Sequence, residues 1–75
     1  MHSKYIFAQD IVKKYKIPYH TLNYYTAIGL LSHLRKEGNK RLYDANEVSV
    51  RLKKISKFSK EGYPLNLIRK KIVGI

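Results

Sequence analysis

Pro18 and Gly29 bracket ten residues, Tyr19-His20-Thr21-Leu22-Asn23-Tyr24-Tyr25-Thr26-Ala27-Ile28, and hold them to one short helix between two breaks. Proline suits the first turn of a helix, where its missing N–H costs nothing. Glycine ends a helix readily because it accepts the left-handed conformation. Ile17, Leu22, Tyr25 and Ile28 fall at roughly helical spacing and form an apolar stripe. Tyr19, His20, Asn23, Tyr24 and Ala27 share the opposite side, which carries no carboxylate. A face of aromatics and hydrogen-bonding groups suits phosphates and base edges. The plain alternative is an amphipathic helix with a polar back.

Charge weights that choice. Sixteen Lys and Arg against five Asp and Glu leave a net +11, a balance that predicts a polyanionic partner. Nucleic acid is the first candidate and an anionic membrane surface the second, against the alternative of a solvated basic surface. Residues 1–75 read as a single domain, and a chain this short buries only about 60% of its unfolded surface. Cysteine is absent, so neither a disulfide nor a thiolate metal site can staple it. No apolar run approaches the roughly 20 residues of a membrane span. The start, Met1-His2-Ser3-Lys4-Tyr5, does not read as a signal peptide. The expected setting is the cytoplasm, with no membrane partner.

The flanking segments supply the context. Tyr5 to Tyr15 reads as a helix, with Ala8, Ile11, Val12 and Tyr15 on one face. Asp10 near its start and Lys13, Lys14 and Lys16 near its end complement the helix dipole. The short break at Lys16-Ile17-Pro18 makes the two helices a helix-turn-helix. After Leu30 the period changes. Ser32 to Lys36 and Lys40 to Tyr43 flank Glu37-Gly38-Asn39, which predicts a small β-hairpin. Arg35, Lys36, Lys40 and Arg41 crowd that loop with Glu37 alone to balance them. A polyanion lying there would relieve their repulsion; the alternative is an exposed turn kept soluble by charge.

Asp44-Ala45-Asn46-Glu47 resembles a capping box, with Asp44 accepting from first-turn amides and Glu47 reaching back. Val48, Leu52, Ile55 and Phe58 then form a core-facing stripe, and Arg51, Lys53, Lys54, Lys57 and Lys60 lie off it, mostly on the outer surface. Gly62 and Pro64 stop this helix. A fourth follows with Leu65, Ile68 and Ile72 inward and Arg69, Lys70 and Lys71 on or near its polar side. The expected core is Leu22, Tyr25, Ile28, Val48, Leu52, Ile55, Phe58, Leu65 and Ile68.

At these residues the chain resembles the DNA-binding domain of the MerR transcriptional regulators. Thr21-Leu22-Asn23-Tyr24-Tyr25 and Gly29-Leu30-Leu31 stand where the family has a Thr-Leu-Arg-Tyr-Tyr run followed by Gly-Leu-Leu. Arg35, Gly38-Asn39 and Arg41-Leu42-Tyr43 match the family wing, and Gly62-Tyr63-Pro64-Leu65 its third-helix stop. The likeness runs from about Phe7 to Ile72. Asn23 replaces the family's Arg, although Asn can pair bidentately with adenine. Lys40 replaces an aromatic, and Gly-Asn inverts the commoner Asn-Gly. The family's dimerisation helix and effector region have no counterpart in these residues. The resemblance implies double-stranded DNA as partner, bound as a homodimer at palindromic promoters.

Catalytic and metal chemistry find no constellation. Asp10, Asp44 and Glu47 are accounted for at helix ends, and His2, His20 and His33 lack metal-ligand spacing. No glycine-rich phosphate loop or nucleophile motif is present. An enzyme, a cofactor and a metal are therefore not expected. The expectation is a mainly α winged helix-turn-helix with about four helices and a β-hairpin wing. Its function would be sequence-specific double-stranded DNA binding in transcriptional regulation. Tyr19, His20, Asn23 and Tyr24 would enter the major groove. Arg35, Lys36, Lys40 and Arg41 would grip the flanking backbone or minor groove, and Tyr43 would complete the DNA-binding set by supporting them at the wing's base. The alternatives are an excisionase-like architectural factor and a basic RNA- or membrane-binding module.

Overall fold

The computed structural model describes residues 4–74. The readings made on Met1, His2 and Ser3 lie outside the described residues. The elements run β1 (Tyr5–Phe7), α1 (Ala8–Tyr15), α2 (Tyr19–Ala27), β2 (His33–Glu37), β3 (Lys40–Asp44), α3 (Ala45–Lys60) and α4 (Leu65–Val73). Four helices and the hairpin stand as expected. The start of the first helix does not: Tyr5-Ile6-Phe7 are strand, not helix. Three consecutive β-formers meet the free edge of β3 there. They pair antiparallel with it as Tyr5 with Asp44, Ile6 with Tyr43 and Phe7 with Leu42. The hairpin is thus two strands of a three-stranded sheet, in the order β1-β3-β2.

The wing turn resolves the inverted Gly-Asn pair. Glu37 pairs with Lys40 across a two-residue loop. Gly38 has φ +65°, and Asn39 is not among the residues of positive φ. Positive φ at the first central position alone is the type II′ pattern, which wants glycine first. Between His33 and Arg35 the register slips, so Leu34 is bulged and exposed.

Local signals fix the helix ends. Gly29 (φ +84°) ends α2, with Gly29 N–H donating to the Thr26 carbonyl and Leu30 N–H to that of Tyr25 at 2.9 Å. The end of α3 repeats this Schellman arrangement, Gly62 to Ser59 and Tyr63 to Phe58. There the Phe58 and Tyr63 rings meet edge to face, 5.8 Å between centroids. Asp44 caps α3 by accepting from Glu47 N–H at 2.9 Å. Glu47 does not reach back: its Oε1 accepts from Ser32 N–H at 3.1 Å instead. The carboxylate thereby ties the wing's entry to α3 rather than closing the box.

Ala8, Ile11, Leu22, Leu31, Tyr43 and Val48 form one buried cluster, and Leu30, Ile55 and Ile68 a second. Tyr25 and Leu52 pack against both. Of the expected core, Leu22, Val48, Ile55 and Ile68 are buried, while Tyr25, Ile28, Leu52, Phe58 and Leu65 are half-buried around them. Leu30, Leu31, Leu42 and Tyr43 are core residues that periodicity did not single out. The first two follow a turn and the others lie on a five-residue strand, so no helical stripe marks them.

Lys16 ends α1 at φ 55°, the left-handed region, where a side chain is strained. Lys16→Gly is expected to raise stability by about 0.5–1 kcal/mol, read as a higher Tm; a lower Tm contradicts the strain. Burial pushes the Tyr25 phenol above its ordinary pKa. The unfolded chain therefore ionises this group first as pH rises past about 10. The stability advantage of the wild type over Tyr25→Phe should shrink above that pH, and denaturant unfolding at pH 8 and 10.5 reads the difference.

Candidate nucleic-acid interface

α2 and β3 meet through two short periodicities. Tyr19, Asn23 and Thr26 lie at i, i+4 and i+7 on α2, one stripe of a helix. Arg41 and Tyr43 lie at i and i+2 on β3, one face of a strand. The structure brings these stripes together. Thr26 Oγ1 and Tyr43 Oη are 2.8 Å apart, and Thr26 Oγ1 also donates to the Leu22 carbonyl at 2.8 Å. A hydroxyl has one proton. Thr26 gives its proton to Leu22, so Tyr43 is the donor to Thr26.

Tyr43 is fully buried, 0% exposed. It therefore lies beneath the Arg41 side chain rather than on the exposed surface. The ring carries the Arg41 guanidinium 5.6 Å from its centroid, and the Tyr19 ring flanks the same guanidinium at 5.6 Å. Arg41 Nη2 donates to Asn23 Oδ1. One guanidinium is thus held by two aromatic faces and a carboxamide, each cation–π contact worth about 0.5–1 kcal/mol at an exposed site.

The remaining candidates sort around this junction. His20 and Tyr24, one turn apart on α2, are exposed, as are Tyr19 and Asn23. Arg35, Lys36 and Lys40 are exposed on the wing and Arg41 is half-buried. Arg35 pairs with Glu37 at 3.1 Å, both largely in solvent, so the pair contributes little to stability. The Lys40 ammonium lies 5.9 Å from the Phe7 ring centroid. A recess of about 270 Å³ between wing and helix-turn-helix is lined by Ala8, Gln9, Tyr19, Asn39, Lys40 and Arg41. A larger one, about 530 Å³, lies between α3 and the first two helices. It is lined by Tyr15, Ile17, Tyr25, Leu52 and Ile55 with Lys53, Ser56, Ser59 and Lys60, and contains none of the candidate contacts.

Two cations expected on outer or polar surfaces prove structural. Arg51 Nη1 donates to the Leu30 carbonyl at 3.1 Å and Arg69 Nε to the Ile28 carbonyl at 2.6 Å. Ile28 is the C-cap of α2, where a cation complements the dipole, and Leu30 follows the Gly29 turn that ends it. The two arginines hold the helix that carries the candidate contacts. Nothing in the sequence flags them except a partly inward position on each helix.

Among the described residues there is no group of three or more His, Cys, Asp or Glu placed to hold a metal. No helix there is long and apolar enough to cross a membrane. Against known families, residues 8–73 match the MerR HTH family regulatory protein. No curated protein and no solved structure matches the chain.

The proton assignment makes the two partners of the buried bond unequal. Thr26→Val strands the Tyr43 hydroxyl as a buried donor and should cost about 1–3 kcal/mol. Tyr43→Phe leaves Thr26 bonded to Leu22 and should cost about 0.5–1.5 kcal/mol. Urea unfolding of the two variants orders them, and the reverse order contradicts the assignment.

Proposed function

The chain belongs to the MerR helix-turn-helix family of DNA-binding transcription regulators, and from that premise we propose that it binds double-stranded DNA sequence-specifically through α2 and the wing. The observation that supports this most is the Arg41 junction. It joins the exposed, carboxylate-free face of α2 to the basic wing, so helix and hairpin offer one continuous surface, polar and aromatic on α2 and cationic on the hairpin. His20 and Tyr24 with Tyr19 would lie in the major groove, since an α-helix fits there and presents its first turns to base edges. Lys36, Lys40 and Arg41 would contact flanking phosphates. Arg35 joins them once DNA competes for its weak bond to Glu37.

Phosphate contacts would carry affinity and base contacts specificity. The protein would act in the cytoplasm, without catalysis, as a homodimer on an inverted repeat. With a net charge of +11, two copies repel in free solution. Pairing on DNA is favoured because the duplex screens that repulsion and places two half-sites about one helical turn apart.

Selection from a randomised duplex library across a salt series tests the reading. A steep salt slope with an enriched motif is the expected result, and an inverted repeat in that motif supports the dimer. A steep slope without a motif would leave an architectural binder, and no binding at low salt overturns the proposal. Arg41→Ala should weaken binding to every sequence and flatten the slope of log K against log salt by about 0.9, one phosphate contact. An unchanged slope removes the wing from the interface.

A further inference from the structure

Asn23 stands where the family pattern has arginine, and its carboxamide oxygen is already engaged by Arg41. Bidentate reading of adenine needs that same oxygen to accept from N6 while the NH2 donates to N7. That oxygen has two lone pairs; with one taken by Arg41, the wing and not a base sets the orientation of the amide, and adenine would have to be met in that fixed orientation. Arg41 meanwhile is held from three sides, by Asn23, Tyr19 and Tyr43, and Tyr43 is itself locked by Thr26.

We infer that Asn23 is a positioning residue for Arg41 and not a base reader. This rests on the DNA-binding reading above and deepens it. The chemistry of the acceptor matters. A carboxamide is neutral, so it orients the guanidinium without cancelling its charge. An arginine at position 23 would repel Arg41, and an aspartate would fix it but neutralise it. Asparagine orders a long, rotamer-rich cation before DNA arrives and leaves the charge whole for phosphate. The exchange has a consequence for specificity: position 23 of the recognition helix selects no base, and readout falls to His20, Tyr24 and their neighbours.

The test combines the free protein with a double-mutant cycle on duplex DNA. In the free protein, the 15N relaxation of the Arg41 Nε–H group reports an ordered guanidinium, and Asn23→Ala makes it mobile. An Arg41 already mobile in the wild type overturns the inference, whatever DNA does. On duplexes, Asn23→Ala should weaken binding about three- to tenfold, the cost of ordering one such side chain. The loss should be equal for every sequence in a randomised library, with an unchanged salt slope. In the Arg41→Ala background, Asn23→Ala should have no further effect. If it instead relaxes preference at one base position, or its effect persists without Arg41, Asn23 reads a base and the inference fails while the DNA-binding reading stands. Tm of each variant is followed alongside; an exposed residue such as Asn23 should leave it nearly unchanged, and a large drop would assign it a structural role instead. If the wild type binds no duplex, the DNA-binding reading fails, and the relaxation result still decides whether Asn23 orders Arg41.

Discussion

One buried hydroxyl links the two parts of the candidate interface. Tyr43 Oη donates to Thr26 Oγ1 from inside the core, and a stranded phenol there would cost more than most single surface contacts contribute. The bond ties β3 to α2, beside the pairing of β3 with β1 and its packing on α1 and α3. Arg41, two residues earlier on the same strand face, is thereby delivered to the outer end of the contact, beside Tyr19 and Asn23. The wing is not a free flap. Its root is clamped to α2 by the same strand that carries Lys40 and Arg41.

The surplus charge divides by what each cation meets. Arg51 and Arg69 satisfy carbonyls at the end of α2 and act as part of the scaffold. Arg41 rests on aromatic faces and a neutral oxygen, ordered yet uncompensated. Lys36 and Lys40 remain in solvent on the hairpin. The folded chain therefore keeps uncompensated positive charge where the wing meets α2. Glu47 illustrates the opposite economy: its carboxylate is spent on the Ser32 amide, which anchors the start of the wing to α3.

Much of the fold was legible because local chemistry and period agreed. Pro18 and Gly29 bounded α2, Asp44 capped α3, and Gly38-Asn39 marked the hairpin turn. What escaped were relations between segments. Strand β1 is three residues long and exists because β3 has a free edge, which no local pattern reveals. Leu30, Leu31, Leu42 and Tyr43 are buried by tertiary packing without helical spacing to announce them. Glu47 fitted a capping box, yet found a better donor fifteen residues away in sequence. In the candidate site, exposure of Tyr19, His20, Asn23 and Tyr24 followed from the helical period. The engagement of Asn23 with Arg41, eighteen residues apart, did not, because it depends on how helix and strand face each other. The full burial of Tyr43 was not legible either, since sequence gives position along a strand more readily than depth.

The most direct test is to titrate the isotope-labelled protein with duplex DNA and follow the backbone amides. The largest shifts should fall on Tyr19 to Tyr24 and on Arg35 to Arg41, two segments distant in sequence and joined at the Arg41 contact, moving together at one saturation point. Shifts confined to the recess between α3 and the first two helices, or spread evenly over the lysines of α3 and α4, would contradict an interface on α2 and the wing.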